Sequence, residues 1–246
     1  MGKDVEAATD AIEAELTAFL ASRTQAFAPY IHGGLELPGQ TPETLKDHDN
    51  WTAAFLVRDG VEDPEWSISG PTVSALIDTL PLTAIKGFSP SVLFSKLKPG
   101  ARIDPHTGLL NCRLICHLPL VVPAGCGLRV GDERRDVVRG EVWAFDDSSN
   151  HEEWNNSADD RIVLIFDVWH PDLTEQERRD ITSLLEAVSA YRGAVAQSLL
   201  RFVAQPKVAI FHSSGPILCG LTPWSAVPIL PRLWLWCTHY SDACGE

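Results

Sequence analysis

Between residues 90 and 169 the chain is a succession of short apolar or alternating runs, each followed by a turn signal. The runs read SVLFSKL, CRLICHLPLVV, CGLRV, RRDVV, EVWAF and RIVLIFDVW, and the breaks between them include KPG, PAGCG, GDE, RGE and DDSSN. Short runs separated by breaks rich in glycine, proline and acids are typical of β-strands, and their close spacing predicts a sandwich or a barrel. We therefore expect a mainly β core.

The alternating stretch RLICHL predicts which side chains face the interior of that core. Successive side chains of a strand point to opposite faces, so Arg113, Ile115 and His117 should share one face. If that face lines a barrel, an arginine and a histidine point into its cavity.

Helices are predicted on both sides of the β region. Residues 4–21 carry an apolar stripe at helical spacing with acids opposite, and residues 71–81 are compatible with a short helix that Pro81 ends. After the last strand, Thr174 and Glu177 fit a capping box at the start of a further helix. The apolar stripe of the first helix is Val5, Ile12, Leu16, Phe19 and Leu20, and that of the last is Ile181, Leu184, Leu185 and Val188.

The length of 246 residues favours one main domain with additions. We expect residues 1–50 to form a helix and a loop that pack on the barrel, 51–175 to form the barrel, and 176–203 to form the final helix. Residues 204–246 are a tail without an assigned role.

The charge balance excludes some partners. The chain has 33 Asp and Glu against 20 Lys and Arg, so its net charge of -13 should repel a phosphate backbone, and no nucleic-acid partner is expected. The start MGKDVEAATD lacks the basic and apolar regions of a secretion signal, and the apolar runs after residue 204 are too short for a bilayer. These features predict a cytoplasmic protein without a membrane partner.

Six cysteines occur without a CxxC pair, which indicates reduced thiols rather than a disulfide framework. They are Cys112, Cys116, Cys126, Cys219, Cys237 and Cys244. A zinc site formed by Cys112 and Cys116 with nearby histidines is the less favoured alternative, because the CxxC spacing is absent.

Two histidines are candidate metal ligands. His106 opens a strand in the stretch DPHTGLLNC, and His151 follows the turn DDSSN at the end of another strand. Oxygen-activating iron sites take two imidazoles and one carboxylate, often as a histidine, one spacer and an acid, but here the position of the acid holds Gly108. Either both are ordinary turn or core histidines, or the chain has a metal site with one protein ligand missing.

Acidic residues before His151 offer one way to supply that ligand. Asp146 or Asp147 could bind the metal, but hydrogen bonds within the turn or to the metal-bound imidazoles are the preferred interpretation. Trp154 and Trp169 are interpreted as packing residues.

Arg161 stands at the start of a strand so apolar that a buried guanidinium there needs an anionic partner. The partner is either a neighbouring acid, Asp159, Asp160 or Glu153, or the far carboxylate of a bound dicarboxylic acid such as 2-oxoglutarate. The sequence leaves both possibilities open.

The region from FSKLKPG through DPHTGLLNCRLICHLPLVV to DDSSNHEEWNNSADDRIVLIFDVWHPDLT resembles the catalytic domain of the aspartyl/asparaginyl β-hydroxylase family, over about residues 50–175. The resemblance implies a double-stranded β-helix, a jelly-roll or cupin-like barrel, that uses Fe(II) and 2-oxoglutarate. That family has glycine where the carboxylate ligand would be, which accounts for Gly108 and implies water in the third position.

The resemblance also assigns residues to the site. His106 and His151 would bind iron, Ser95 and Arg161 the side-chain carboxylate of 2-oxoglutarate, and His117 its keto-acid end. The family has an arginine at the position of Ile115, and Arg113 on the same strand face is the candidate substitute.

The implied activity is hydroxylation of a C–H bond in an Asp- or Asn-like amino acid, a peptide or a small molecule, with release of succinate and CO2. The alternatives are a halogenase that uses the vacant carboxylate position and a non-catalytic cupin-like binding protein. The sequence does not predict an oligomeric state.

Overall fold

The structure is a computed structural model that describes residues 2–23, 26–30, 49–64, 66, 70–108 and 110–203. Part of the helix and loop expected over residues 1–50, the tail at 204–246, and Cys219, Cys237 and Cys244 lie outside these residues. The helices are α1 Gly2–Ala7, α2 Thr9–Ser22, α3 Pro71–Thr79 and α4 Glu175–Val203. The strands are β1 Ala28–Pro29, β2 Trp51–Arg58, β3 Val61–Glu62, β4 Val92–Leu97, β5 Arg102–His106, β6 Arg113–Val121, β7 Cys126–Val130, β8 Glu133–Asp136, β9 Trp143–Phe145, β10 His151–Asn155 and β11 Arg161–Trp169.

The strands form two antiparallel sheets. The large sheet has the order β1-β2-β4-β11-β6-β9 with β3 beside β2, and the small sheet has the order β5-β10-β7-β8. From β4 onward the chain passes back and forth between the sheets, and only the β7–β8 hairpin stays within one of them. This alternation makes the fold a double-stranded β-helix of the jelly-roll type, and the predicted fold class is confirmed.

The large sheet has two apolar faces with different neighbours. On β6, Cys116, Leu118 and Leu120 are buried in a core that also contains residues of α1, α2 and α3. Arg113, Ile115 and His117 of the same strand line a cavity on the opposite face. The period of two predicted for RLICHL is therefore confirmed.

The N-terminal helical region differs from the prediction in one detail. It is two helices rather than one, and the Thr9 hydroxyl donates to the carbonyl of Glu6 at 2.6 Å beside the junction. A threonine that bonds the preceding turn through its side chain commonly bends or interrupts a helix. The residues buried on this side are Val5, Thr9, Ile12, Leu16 and Phe19.

The helix after the barrel begins with the predicted capping box. The backbone N–H and the hydroxyl of Thr174 both donate to the Glu177 carboxylate at 2.8 Å, and the Glu177 N–H lies 3.3 Å from the Thr174 hydroxyl. The apolar stripe that follows is only partly covered, because Leu184 is 64% exposed and Val188 is 41% exposed.

Candidate active site

A cavity of about 300 Å³ lies between the two sheets. Its walls include side chains of β4, β6 and β11 from the large sheet and of β5 and β10 from the small sheet. The histidines predicted as ligands, His106 and His151, both line it, as does Gly108. A cavity of this size that combines apolar walls with a few polar groups is typical of a small-molecule site.

The strand register of the small sheet brings the two histidines together. His106 ends β5, His151 begins β10, and the two residues are direct partners across the antiparallel pair. Their ring centroids are 4.1 Å apart. Direct partners in a sheet point to the same face, so both imidazoles project into the cavity from neighbouring strands.

Backbone contacts fix the tautomer of both rings. The Nδ1 atom of His106 lies 2.8 Å from the carbonyl oxygen of Asp104, and that of His151 lies 2.9 Å from the carbonyl oxygen of Ser149. A carbonyl only accepts hydrogen bonds, so each Nδ1 carries the proton and each Nε2 keeps its lone pair. Metal-binding histidines are commonly oriented in this way. Burial, followed by the neighbouring His151, also lowers the pKa of His106.

Gly108 lies against Asp147, which comes from the loop before His151. The Gly108 N–H donates to the Asp147 carbonyl at 2.6 Å, and a Cβ atom on Gly108 would overlap with the Asp147 carboxylate. The space that a carboxylate side chain at position 108 would occupy is therefore filled by Asp147. The Asp146 carboxylate, in contrast, accepts a hydrogen bond from the Ser148 N–H at 2.9 Å and so stabilises the turn.

Gly108→Asp should not increase turnover, although it restores a conventional arrangement of ligands. The new side chain would collide with Asp147 and bring a second carboxylate against it, at a cost of about 1–3 kcal/mol in the free energy of unfolding. Urea denaturation and turnover with added Fe(II) check this. In Gly108→Asp/Asp147→Ala the free energy of unfolding should return towards that of the wild type, because the Asp147 carboxylate no longer obstructs the new side chain. A clear gain in turnover in Gly108→Asp alone would contradict the expectation that a carboxylate at position 108 does not help.

Arg161 and Glu153 form a buried ion pair. Arg161 is 1% exposed and Glu153 is 5% exposed, and the Arg161 guanidinium donates to the Glu153 carboxylate. Burial disfavours the charged carboxylate, but Arg161, with a further contribution from His117, lowers the pKa of Glu153 to about 2. Of the partners considered for Arg161 from the sequence, the structure brings Glu153 into contact. The assignment of Arg161 to a cosubstrate remains a prediction.

His117 lies beside this pair. Its Nδ1 atom is 3.9 Å from the nearer oxygen of Glu153. Burial lowers the pKa of His117 to about 4, so the ring is neutral at physiological pH. His117 can therefore donate one hydrogen bond and accept another, and it faces the cavity as expected.

Arg113, the candidate substitute for the missing arginine, is bonded to two carboxylates. One guanidinium nitrogen lies 2.7 Å from Asp167, which is 1% exposed, and another lies 3.4 Å from Asp147. Asp167 also accepts from the hydroxyl of Ser89 and from the backbone N–H of Ser91 at 2.9 Å. Burial opposes the charge of Arg113, but Asp167 and Asp147 raise the pKa of Arg113.

Ser95 lies on the cavity side of β4 and is buried. It pairs with Val163 of β11, two residues beyond Arg161, so Ser95 and Arg161 share one face of neighbouring strands. The Ser95 hydroxyl accepts from the Trp51 indole N–H at 3.1 Å. The predicted Ser95 and Arg161 are thus close in the sheet, and each already has a protein partner.

The cavity residues that were not assigned to it from the sequence include Glu153, Asp167 and Tyr30. Glu153 follows His151 by two positions and so faces the same side of β10. The alternation of side chains along a strand was therefore enough to place it in the cavity. Asp167 is an acid in an otherwise apolar strand, which indicates a buried partner. Tyr30 stacks on Trp51 with ring centroids 4.2 Å apart, and nothing in its sequence context indicated this.

The two other tryptophans considered do not line the cavity. Trp154 packs against Gly127 on the outside of the small sheet, between the guanidinium groups of Arg102 and Arg134, and Trp169 lies under Arg178. Their assignment as packing residues agrees with these contacts.

The described cysteines are buried free thiols, Cys112, Cys116 and Cys126. Cys116 belongs to the helix-covered core, and burial raises the pKa of its thiol to about 12, which opposes a zinc-binding thiolate. Among the described residues, no group of three or more His, Cys, Asp or Glu side chains is arranged to hold a metal.

The helices in the described part of the chain include none that is long and apolar enough to cross a bilayer.

The fold and the cavity define a double-stranded β-helix protein with a two-histidine site, and sequence comparison identifies its family. The profile of aspartyl/asparaginyl β-hydroxylase matches residues 6–171, about two thirds of the chain. The chain therefore belongs to the aspartyl/asparaginyl β-hydroxylase family. Membership of a hydroxylase family supports the prediction that this protein is an enzyme.

Individual relatives are consistent with this. The chain is 36% identical over 154 residues to the aspartyl/asparaginyl β-hydroxylase of Mus musculus, a match that covers 61% of this chain and 20% of the relative. It is 35% identical over 132 residues to human aspartate β-hydroxylase domain-containing protein 2, covering 52% and 36%. The chain thus matches about a fifth to a third of the length of these relatives.

Among solved structures, the cupin domain of Schizosaccharomyces pombe Cnp3 is similar with a TM-score of 0.33 and 8% identity, over 50% of this chain and 67% of that one. At this level the likeness supports no conclusion about function.

Proposed function

We propose that this protein is an Fe(II)-dependent oxygenase that hydroxylates a C–H bond of an Asp- or Asn-like amino acid, a peptide or a small molecule, with a 2-oxo acid as cosubstrate. The observation that carries the proposal is the pair His106 and His151, whose Nε2 atoms are left available on rings 4.1 Å apart inside a barrel cavity. The family supports the reaction class.

The residues present fit a metal ion of this kind. Both imidazoles keep the Nε2 lone pair that a metal needs, and nitrogen ligands suit iron. When bound, iron would supply the activation of dioxygen that no side chain of the chain provides. His106 and His151 would hold it, and the backbone carbonyls of Asp104 and Ser149 would keep both rings oriented.

The other cavity residues have tasks that require no proton transfer. Leu93, Ile115, Phe145 and Ile165 form apolar walls that exclude water from the reacting centre. Asp147 lies beside Gly108, where the missing third side-chain ligand would stand, and Arg113 holds Asp147 in place. Neutral His117 can donate a hydrogen bond to a carboxylate in the cavity.

2-Oxoglutarate, the cosubstrate that the resemblance implies, does not fit these residues as they stand. Its far carboxylate was predicted to bind Arg161 and Ser95, but the Arg161 guanidinium is already paired with the buried Glu153 carboxylate. The proposed function therefore requires a 2-oxo acid without specifying that one.

The substrate class rests on the names of the relatives, which refer to aspartyl and asparaginyl groups. The halogenase alternative gains no support, because an anion in the vacant position would lie against the Asp147 carboxylate. A non-catalytic binding protein remains the rival to be tested.

The test is turnover by purified protein loaded with Fe(II) under anaerobic conditions, then given dioxygen, ascorbate, a panel of 2-oxo acids and candidate substrates. We expect a product heavier by one oxygen atom in mass spectra from a panel of Asp, Asn and peptides, together with CO2 release. Protein that binds Fe(II) but releases no CO2 with any 2-oxo acid, even with every substrate present, would be a binding protein and not an oxygenase.

A further inference from the structure

We propose that the Glu153 carboxylate takes the position at Arg161 where the distal carboxylate of 2-oxoglutarate would bind, so that this site accepts a 2-oxo acid with an apolar end and no second carboxylate. The inference rests on the proposed function and names its cosubstrate class. It makes Glu153 the residue that determines cosubstrate choice.

The position of Glu153 follows from the strand that carries it. Glu153 is two residues after His151 on β10, so its side chain enters the space between the sheets on the same side as the metal-site histidines. It reaches the large sheet and bonds to the guanidinium of Arg161, which is 1% exposed. An internal anion therefore already compensates the charge of the arginine that a bound dicarboxylate would need.

The space around this ion pair does not admit a second carboxylate. Beside Arg161 and Glu153 there is an opening of about 10 Å³, lined also by His117, Leu128 and Val163. An opening of this size holds at most about one water molecule, so a carboxylate group needs more room than this. A distal carboxylate could reach Arg161 only by displacing Glu153.

Displacement of Glu153 is unfavourable because little positive charge is left to receive it. Of the described residues that line the cavity, Arg113 is the only arginine and none is a lysine, whereas three are acids: Asp147, Glu153 and Asp167. Arg113 is bonded to two of these acids. Among the described side chains of the lining, a carboxylate expelled from Arg161 would find no free cation, and a buried carboxylate without a partner is strongly disfavoured.

The walls of the cavity favour an apolar end on the cosubstrate. Val163 and Ile165 follow Arg161 on the same face of β11, and Leu93 of β4 pairs with Ile165. An aliphatic group placed there loses contact with water without leaving an ion unpaired. The apolar walls and the compensated charge of Arg161 thus favour the same class of cosubstrate.

A 2-oxo acid without a distal carboxylate supports the same overall reaction. Its C1–C2 bond breaks and C1 leaves as CO2, one atom of dioxygen enters the new carboxylate, and the other enters the hydroxyl group of the product. Dioxygen takes two electrons from the 2-oxo acid and two from the C–H bond. The distal end of the 2-oxo acid takes no part in these bond changes, so the reaction has the same balance of atoms and electrons without a distal carboxylate.

The experiment compares two ligands that differ only at that end. Binding of 2-oxoglutarate and of 2-oxopentanoate, which has a methyl group in place of the distal carboxylate, is measured by calorimetry on Fe(II)-loaded protein without dioxygen. We expect the wild type to bind 2-oxopentanoate at least tenfold more tightly. Tighter binding of 2-oxoglutarate by the wild type would overturn the proposal.

Variants assign the preference to Glu153. Glu153→Ala should bind 2-oxoglutarate at least a hundredfold more tightly than the wild type, because the Arg161 guanidinium loses its internal partner and space opens beside it. Glu152→Ala is the matched control: it removes a glutamate bonded to Arg102 and Arg129 from the outer face of the same strand, and the preference should stay unchanged. In Glu153→Ala/Arg161→Met the preference should return to 2-oxopentanoate. No change of preference in a folded Glu153→Ala protein would overturn the proposal; if that variant does not fold, the comparison in the wild type decides.

The outcomes separate this inference from the proposed function. If the wild type binds 2-oxoglutarate and converts it to succinate and CO2, the oxygenase proposal stands and the role of Glu153 is wrong. If it binds Fe(II) but neither 2-oxo acid, and no CO2 appears in turnover, both proposals fail.

Discussion

Replacement of His106 or His151 with alanine should lower the affinity for Fe(II) by more than about a hundredfold and abolish turnover, since loss of groups that only orient a ligand already costs 10- to 100-fold. The two rings face each other across one strand pair, and each carries its proton on Nδ1, so removal of either leaves one available Nε2 atom. Anaerobic calorimetry with Fe(II) measures the affinity.

The matched control for these variants is His170→Ala. His170 lies outside the cavity lining, and its Nδ1 atom accepts from the backbone N–H of Asp172 at 3.3 Å. Its loss should leave Fe(II) affinity and turnover unchanged. If His106→Ala or His151→Ala keeps the affinity of the wild type, that residue is not a ligand.

Asp167→Ala should lower the free energy of unfolding by about 3–5 kcal/mol, the usual cost of breaking a buried ion pair by removing one partner. Asp167 is 1% exposed and receives hydrogen bonds from Arg113, Ser89 and the Ser91 N–H. Without it, the Arg113 guanidinium keeps only the longer contact to Asp147. Urea denaturation measures the change.

Two further variants define the cause of that loss. Asp172→Ala removes an acid whose side chain is 90% exposed, and it should change stability by less than about 0.5 kcal/mol. Asp167→Ala/Arg113→Met should recover part of the stability, because the buried guanidinium that Asp167 compensated is then removed as well. A loss below about 1 kcal/mol in Asp167→Ala would mean that the contacts of Asp167 do not stabilise the fold.

The proximity of His106 and His151 in the cavity could be predicted because it depends on local signals. His106 and His151 each lie where a turn meets a strand, and two such ends meet when the strands pair. The period of two in β6 similarly placed Arg113, Ile115 and His117 on the cavity side. These inferences need only the alternation of side chains along a strand.

The partner of Arg161 could not be predicted in the same way. Its strand showed that the guanidinium would be buried and would need an anion, but Asp159, Asp160, Glu153 and a bound ligand all satisfied that condition. The choice depends on the distance between the two sheets, which lets Glu153 reach Arg161 from the opposite side. Such tertiary geometry has no counterpart in local sequence patterns.

The importance of Asp167 was missed for a different reason. The run RIVLIFDVW was interpreted through its apolar residues, and the single acid within it received no weight. A buried carboxylate requires compensation, and Arg113 was already expected on the same face of a neighbouring strand. Matching buried acids to buried bases across predicted strands would have paired these residues.

The two sheets contribute different parts of the site, and this separation has a consequence for how such enzymes diverge. His106 and His151 belong to the small sheet, whereas Arg113, Ile115, His117 and Arg161 belong to the large one. Side-chain substitutions on the large sheet, or at Glu153 of β10, can alter which molecule is accepted without disturbing the register of the histidine pair. Descendants of one ancestral barrel can therefore exchange the molecule they accept in small steps, while the histidine pair is inherited unchanged.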